Sequence, residues 1–343
     1  MRGYDFLDYK FNLIKSPEDP RDFVYSWLVK SQVLPSKLSR DNECSPIRDQ
    51  GKFGVCYSFA GEGMKEWQEW KEHPKEKPIL SPLFLAQECK KIDGSPNTEG
   101  STIKAVVDVL HKVGICYEST YPFENYKEAL KFPTVPSRAY GEALNFKIKN
   151  YAKCYTLEDI KLAIVNSGLI LAGVMVTDSF LTPENGFINM PLGRILGGHA
   201  ICCVGFDDNL IYTYKNGVTK KGFLRIRNSW NTSWGDKGYA WLPYDFYYGK
   251  IVDLGSPYFF EAWSTVDLTE VLPDEQVNSS EKEEIILWIG KNEALLDGVK
   301  TTLLQSPILL KGSTLLPIRF VAENMGYSVE WVGSEKKVIL RKK

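Results

Sequence analysis

The sequence predicts an α+β fold, one large two-lobed domain followed by a small α/β module. Two observations on the 343 residues carry this reading. Segments with helical spacing come first and segments with strand spacing follow, so helices and strands are segregated along the chain. The stretch "STVDLTEVLPDEQVNSSEKEE", residues 264–284, then loses aromatic content and gains acid and serine, which reads as a linker. A chain of this length is expected to hold more than one domain.

Taken in order, residues 1–33 are rich in charge and proline, and "SPEDPRDFVYS" reads as an extended segment. The N-terminus shows neither an uninterrupted apolar core nor a small-residue cleavage pattern. The expectation is a cytoplasmic protein, or an extracellular or envelope protein whose signal has been removed. Next come a loop, "CSPIRDQGKFG", and a helix over 56–72. "EGSTIKAVVDVLHKVG" has helical spacing with a stop at Gly114. The longest apolar run, "LAIVNSGLILAGVMV" at 162–176, contains Asn166, Ser167 and Gly168 and is too short to cross a bilayer, so one or two buried strands are expected. "HAICCVGFD", "LIYTYKNGVTKKGFLRIRNSW" and "GYAWLPYD" continue as strands, with a hairpin turn at 215–217. The last residues predict short strands around a turn at Asp297 and Gly298, a helix near "PIRFVAENMG", and a closing hairpin in "YSVEWVGSEKKVILRK".

Composition narrows the function. With 43% hydrophobic and 25% charged residues the chain is an ordinary globular type. A formal net charge of −1 removes any general attraction to nucleic acid or to an anionic membrane surface. The seven cysteines are an odd number and form no CxxC pair, which argues against both a disulfide framework and a zinc cluster. No metal and no cofactor are expected.

Chemistry must then rest on a site, and histidine is scarce. His73 lies in a charged helix end and His111 on an amphipathic helix, both ordinary structural settings. His199 follows "LGG" and opens an apolar strand, where two glycines leave room for another backbone to approach. Cys56 sits where a helix begins, and the helix dipole and free N–H groups there favour a thiolate. Alone, Cys56 reads better as a small buried thiol. A nearby histidine, with a neutral amide orienting its ring, would make the sulfur a nucleophile.

Three separated blocks supply that combination: Gln50 and Cys56 in "QGKFGVCYSFA", Gly198 and His199 in "GHA", and Asn228 and Trp230 in "RNSWNTSWGDKGY". Together they resemble the papain-like cysteine peptidases over roughly residues 34–262. The resemblance implies a helical left lobe and an antiparallel, β-barrel-like right lobe. It implies Cys56 as nucleophile, His199 as acid and base, Asn228 as orienter of the imidazole, and Trp230 as a shield over that bond. Gln50 would donate to the oxyanion, and hydrolysis of peptide or protein substrates would run through a thioester. Gly100 resembles the glycine whose backbone pairs with an extended substrate. Gly173 looks like the small floor of the main side-chain pocket, and Gly198 offers no charge there, so a roomy apolar pocket is expected.

The pattern also departs from the family. In "FGVCY", Phe53 replaces a cysteine that normally forms a disulfide, and Val55 adds bulk beside the nucleophile. His199 lies 143 residues after Cys56, within the family's spacing, whereas Asn228 at 172 exceeds it because of an enlarged hairpin. Residues 1–33 are too few for the usual helical pro-region and resemble short leaders of bacterial members. The expectation is a zymogen in which they lie along the cleft. The domains read as 1–33, a possible pro-segment; 34–263, a papain-like peptidase; 264–284, a linker; and 285–343, a module similar to copper amine oxidase N-termini, which suggests a bacterial cell-envelope component. No His or Cys follows Cys203, so copper ligation is not expected in that module. Alternatives are an inactive peptide-binding homologue, or an acyl transferase or cross-linking enzyme using the same three residues.

Overall fold

The structure, a computed structural model, describes residues 6–19, 22–28, 32–95, 98–126, 133–190, 193–250, 257–266, 285–296, 299–303, 305–310, 313–324, 327–332 and 337–342. The chain divides into two compact units, 1–272 and 273–343.

In the first unit, α1 (Tyr25–Leu28) and β1 (Lys37–Ser39) precede the long helix α2 (Cys56–Glu72). The helical lobe continues with α3 (Pro82–Ile92), α4 (Ile103–Lys112) and α5 (Ser137–Ala143). Their starts are written in the sequence. Ser81 accepts the Phe84 N–H with Pro82 at the first turn, and Thr102 accepts the Ala105 N–H. Helix α2 is buried along most of its length. A Cβ at Gly61 would collide with Val106 and Leu85, so glycine there permits the helices to close on one another. Buried Leu83, Phe84, Val106, Val109 and Leu110 form this lobe's core with α2.

The second lobe is a sheet. β2 (Asn150–Lys153), β3 (Ile170–Thr177), β4 (Ile195–Thr213), β5 (Thr219–Arg227), β6 (Tyr239–Pro243) and β7 (Phe259–Val266) run in the order β2-β7-β3-β4-β5-β6, with β1 pairing β4. All of these pairs are antiparallel. Among the described residues the sheet stays open, so the barrel-like expectation reduces to an open antiparallel sheet. Helices α6 (Leu157–Asn166), α7 (Asp178–Leu181) and α8 (Asp245–Tyr248) cover it. Its core includes Ile160, Val174, Phe180, Ile226 and Trp234.

Two expectations change. The first third of the 162–176 run is helix, because Thr156 and Asp159 form a reciprocal capping box that starts α6 and Gly168, at φ +100°, follows its end. Strand β7 extends to Val266, past the expected linker start at 264. The rest of that linker, residues 267–284, and the turn at Asp297 and Gly298 lie outside the described residues. The hairpin at 215–217 joins β4 to β5, with Thr213 opposite Thr219.

The second unit holds a three-stranded antiparallel sheet of β8 (Ile285–Leu287), β9 (Glu293–Leu296) and β10 (Val299–Thr302). A hairpin of β11 (Ile308–Leu310) and β12 (Ser313–Leu315), helix α9 (Ile318–Asn324), and a hairpin of β13 (Tyr327–Val332) and β14 (Lys337–Lys342) complete it.

Candidate active site

Cys56 is the first residue of α2 and His199 stands on β4, the strand that packs against that helix. The Ala200 N–H lies 3.4 Å from Cys56 Sγ, which brings the sulfur to the residue beside the imidazole. His199 Nε2 is 2.7 Å from Asn228 Oδ1, and that oxygen also accepts the Ser229 N–H at 2.8 Å. Asn228 directly follows β5, so two adjacent strands of one sheet set the ring and its orienting amide. The Trp230 ring lies 4.6 Å from the imidazole, centroid to centroid, at 35°. His199 Nδ1 has no hydrogen-bond partner among the described residues.

Gln50 is fully buried under this arrangement. The Ser229 hydroxyl donates to its Oε1 at 2.7 Å, and its Nε2 donates to the Phe53 carbonyl at 2.8 Å. The amide is thus clamped at both ends, with a second N–H on Nε2 to spare. Beneath α2, Arg48 reaches Glu62 at 3.1 Å and Glu118 at 2.6 Å, while Glu66 accepts the Leu80 N–H at 2.8 Å. Burial and the neighbouring Glu66 push the Glu62 carboxyl well above its ordinary range. This buried polar group, which the sequence did not signal, ties the loop before α2 to the helix.

Residues 6–14 of the chain lie over this arrangement. Asn12 bridges Gly198, the Leu13 N–H donates to the Gly198 carbonyl at 3.0 Å, and the Ile14 N–H donates to the Ser101 carbonyl at 2.9 Å. Phe11 packs edge-on to His199 and to Trp230, and Phe6 and Tyr9 cover the same indole. The Tyr9 hydroxyl donates to Asp49 at 2.7 Å. Three glycines make room: a Cβ at Gly100, Gly197 or Gly198 would run into the carbonyl oxygens of Asn12, Phe11 and Leu13 respectively. Gly173 is different. Its missing Cβ would lie 2.5 Å from the Phe260 ring and 3.0 Å from Glu261 Cγ, so here the glycine makes room for an aromatic ring and the stem of a glutamate.

Covered in this way, Cys56 and His199 are wholly buried. Burial pushes the Cys56 thiol up to about 12, against the Ala200 N–H, and pulls the His199 imidazole down to about 4, against its bond to Asn228. Both shifts favour the uncharged thiol and imidazole.

The fold is that of a thiol protease. Residues 35–249 match the papain family of cysteine proteases, and residues 272–340 match the copper amine oxidase N-terminal domain. The chain belongs to the papain family. It is 30% identical over 234 residues to an uncharacterized peptidase C1-like protein of Acanthamoeba polyphaga mimivirus, covering 64% of this chain and 68% of that one. It is 28% identical over 228 residues to cathepsin Q of Rattus norvegicus, covering 65% of this chain and 62% of that protein. The fold is similar to xylellain, a cysteine protease from Xylella fastidiosa, with TM-score 0.62, 25% identity, and coverage of 75% of this chain and 96% of the other.

Proposed function

We propose that the chain is a latent cysteine peptidase: residues 6–18 hold the cleft closed, and once they are displaced Cys56, His199, Asn228 and Gln50 hydrolyse peptide bonds. The observation that carries this reading is the Nε2 to Oδ1 bond of 2.7 Å between His199 and Asn228, with Cys56 Sγ held 3.4 Å from the next residue's N–H. A neutral asparagine fixes the ring without a charge that would overstabilise the imidazolium.

In the open form, solvation and the start of α2 favour proton transfer from the thiol to His199 Nδ1. The thiolate attacks the substrate carbonyl carbon, the C–S bond forms, and the oxygen takes the displaced electron pair. The Cys56 N–H and the spare Gln50 N–H stabilise that oxyanion. His199 gives its proton to the leaving amine as the C–N bond breaks, which leaves a thioester. Water then attacks with His199 as base, the C–S bond breaks, and the acid product departs. Trp230 keeps water from the imidazole–amide bond, Gly198 presents its carbonyl to an extended peptide as it does here to Leu13, and Gly100 leaves room for the peptide backbone as it does here for Asn12.

The test is alkylation of Cys56 by an epoxide as a function of pH. The full chain is expected to label slowly at pH 7. With Phe11→Asp and Leu13→Asp it is expected to label quickly well below the unperturbed thiol pKa of about 8.5. His199→Ala in the opened chain should restore an ordinary thiol profile. Equal, slow labelling of all three would refute the reading.

A further inference from the structure

We propose that Glu99 is a seat for a cationic side chain, so that the opened cleft prefers peptides placing a lysine or arginine beside Cys56. The proposal rests on the peptidase reading above and adds the substrate class to it. Glu99 precedes Gly100 and faces Gly54, two residues before Cys56. A Cβ at Gly54 would lie 3.1 Å from Glu99 Cβ and 3.2 Å from Glu99 Oε2, so the carboxylate stands against the loop that carries the nucleophile. Its side chain is 3% exposed, and the Lys10 ammonium of the N-terminal segment sits 2.8 Å from Oε2. Among the described residues the peptidase offers this carboxylate the Tyr126 hydroxyl, 3.4 Å from Oε1. Lys90, whose ammonium donates to the Gly100 carbonyl, is also engaged by Asp93 at 2.8 Å.

A buried carboxylate is costly unless paired with a cation or strong donors. Here the cation comes from the segment, and displacing the segment strands the charge. Lys10 also shows that a lysine can reach Oε2 while its backbone lies in the groove. A second buried carboxylate also meets the segment, through a neutral donor: Glu261 accepts the Ser16 N–H at 3.2 Å, beside the Trp263 indole N–H at 2.9 Å. A groove holding both carboxylates rejects acidic side chains, and at Glu99 it rewards a substrate that returns the missing positive charge.

The experiment uses the full chain opened by Lys10→Ser, Phe11→Asp and Leu13→Asp, which frees the seat, and fluorogenic peptides differing at one position in Lys, Arg, norleucine or Glu. The expected result is a kcat/KM about tenfold higher for Lys and Arg than for norleucine at one position near the cut. Glu99→Gln should abolish that ratio while leaving the norleucine rate within twofold, and Glu99→Lys should favour the Glu peptide. A Lys to norleucine ratio that is near one, or that Glu99→Gln does not change, overturns the proposal. Failure of the peptidase reading looks different: no peptide is cut and Cys56 resists the epoxide. The seat is then decided by binding, in the same opened chain carrying Cys56→Ser. About tenfold tighter binding of the Lys peptide than of the norleucine peptide, lost in Glu99→Gln, upholds it, and equal binding overturns it.

Discussion

At His199 the surroundings oppose the charge that catalysis needs. Its folded value of about 4 lies below its ordinary 6.5, so the closed chain gains stability from the neutral ring above pH 6.5 and loses it as pH falls through 4. Cys56 works from the other side: raised from 9.0 to about 12, it contributes fully below pH 9 and loses that contribution as pH rises toward 12. The histidine effect is on the order of 3 kcal/mol. Urea midpoints of the full chain at pH 7 and pH 4.5 should therefore differ more than those of His199→Gln, and an equal difference would contradict the assignment. Asn228→Ala removes the ring's orienting bond. In the opened chain it should lower kcat by about tenfold to a hundredfold with little change in KM, as expected for a group that acts through the imidazole. Gly198→Ala should separate two consequences, because a Cβ there collides with the Leu13 carbonyl. The closed chain should label faster at Cys56, while the opened chain should cut extended peptides more slowly.

Among the elements, α2 and β4 carried the clearest signals. The helix over 56–72 was legible from spacing, and the structure places it at Cys56–Glu72. The strand after "LGG" and the hairpin at 215–217 were equally plain. Helix α6 was hidden because its apolar residues merge with those of β3 into one run, and only the Thr156–Asp159 box separates them. Glu99 and Glu261 gave no signal, since a carboxylate becomes notable only once tertiary packing buries it. That residues 1–33 lie along the cleft was an expectation drawn from the resemblance to short bacterial leaders, and the individual contacts of the segment gave no signal in the sequence. Phe6, Tyr9 and Phe11 look like scattered aromatics until they meet one indole. Lys153, buried on β2, adds a tether by pairing with Glu18 at 2.7 Å. Glu18→Gln should therefore accelerate labelling of Cys56 in the full chain by severalfold at low salt, an effect that 1 M salt should shrink.

On the scale of the molecule, the chain consists of two units with separate secondary structure. Independent units are expected to melt independently. Calorimetry of the full chain should show two transitions, and opening the segment by Phe11→Asp should shift only the one belonging to the peptidase unit. A single cooperative transition would show that the units are energetically coupled.

The pile of rings over Trp230 has one more consequence. Phe6, Tyr9 and Phe11 join Phe180, Trp234 and His199 around a fully buried indole. Three of those six rings belong to the segment and leave with it. An indole meeting water emits at longer wavelength, so activation should write itself into the protein's own fluorescence as a red shift. Stopped-flow emission could then time the opening of a single chain without a dye, a substrate or a cut, and Trp230→Phe would silence the signal.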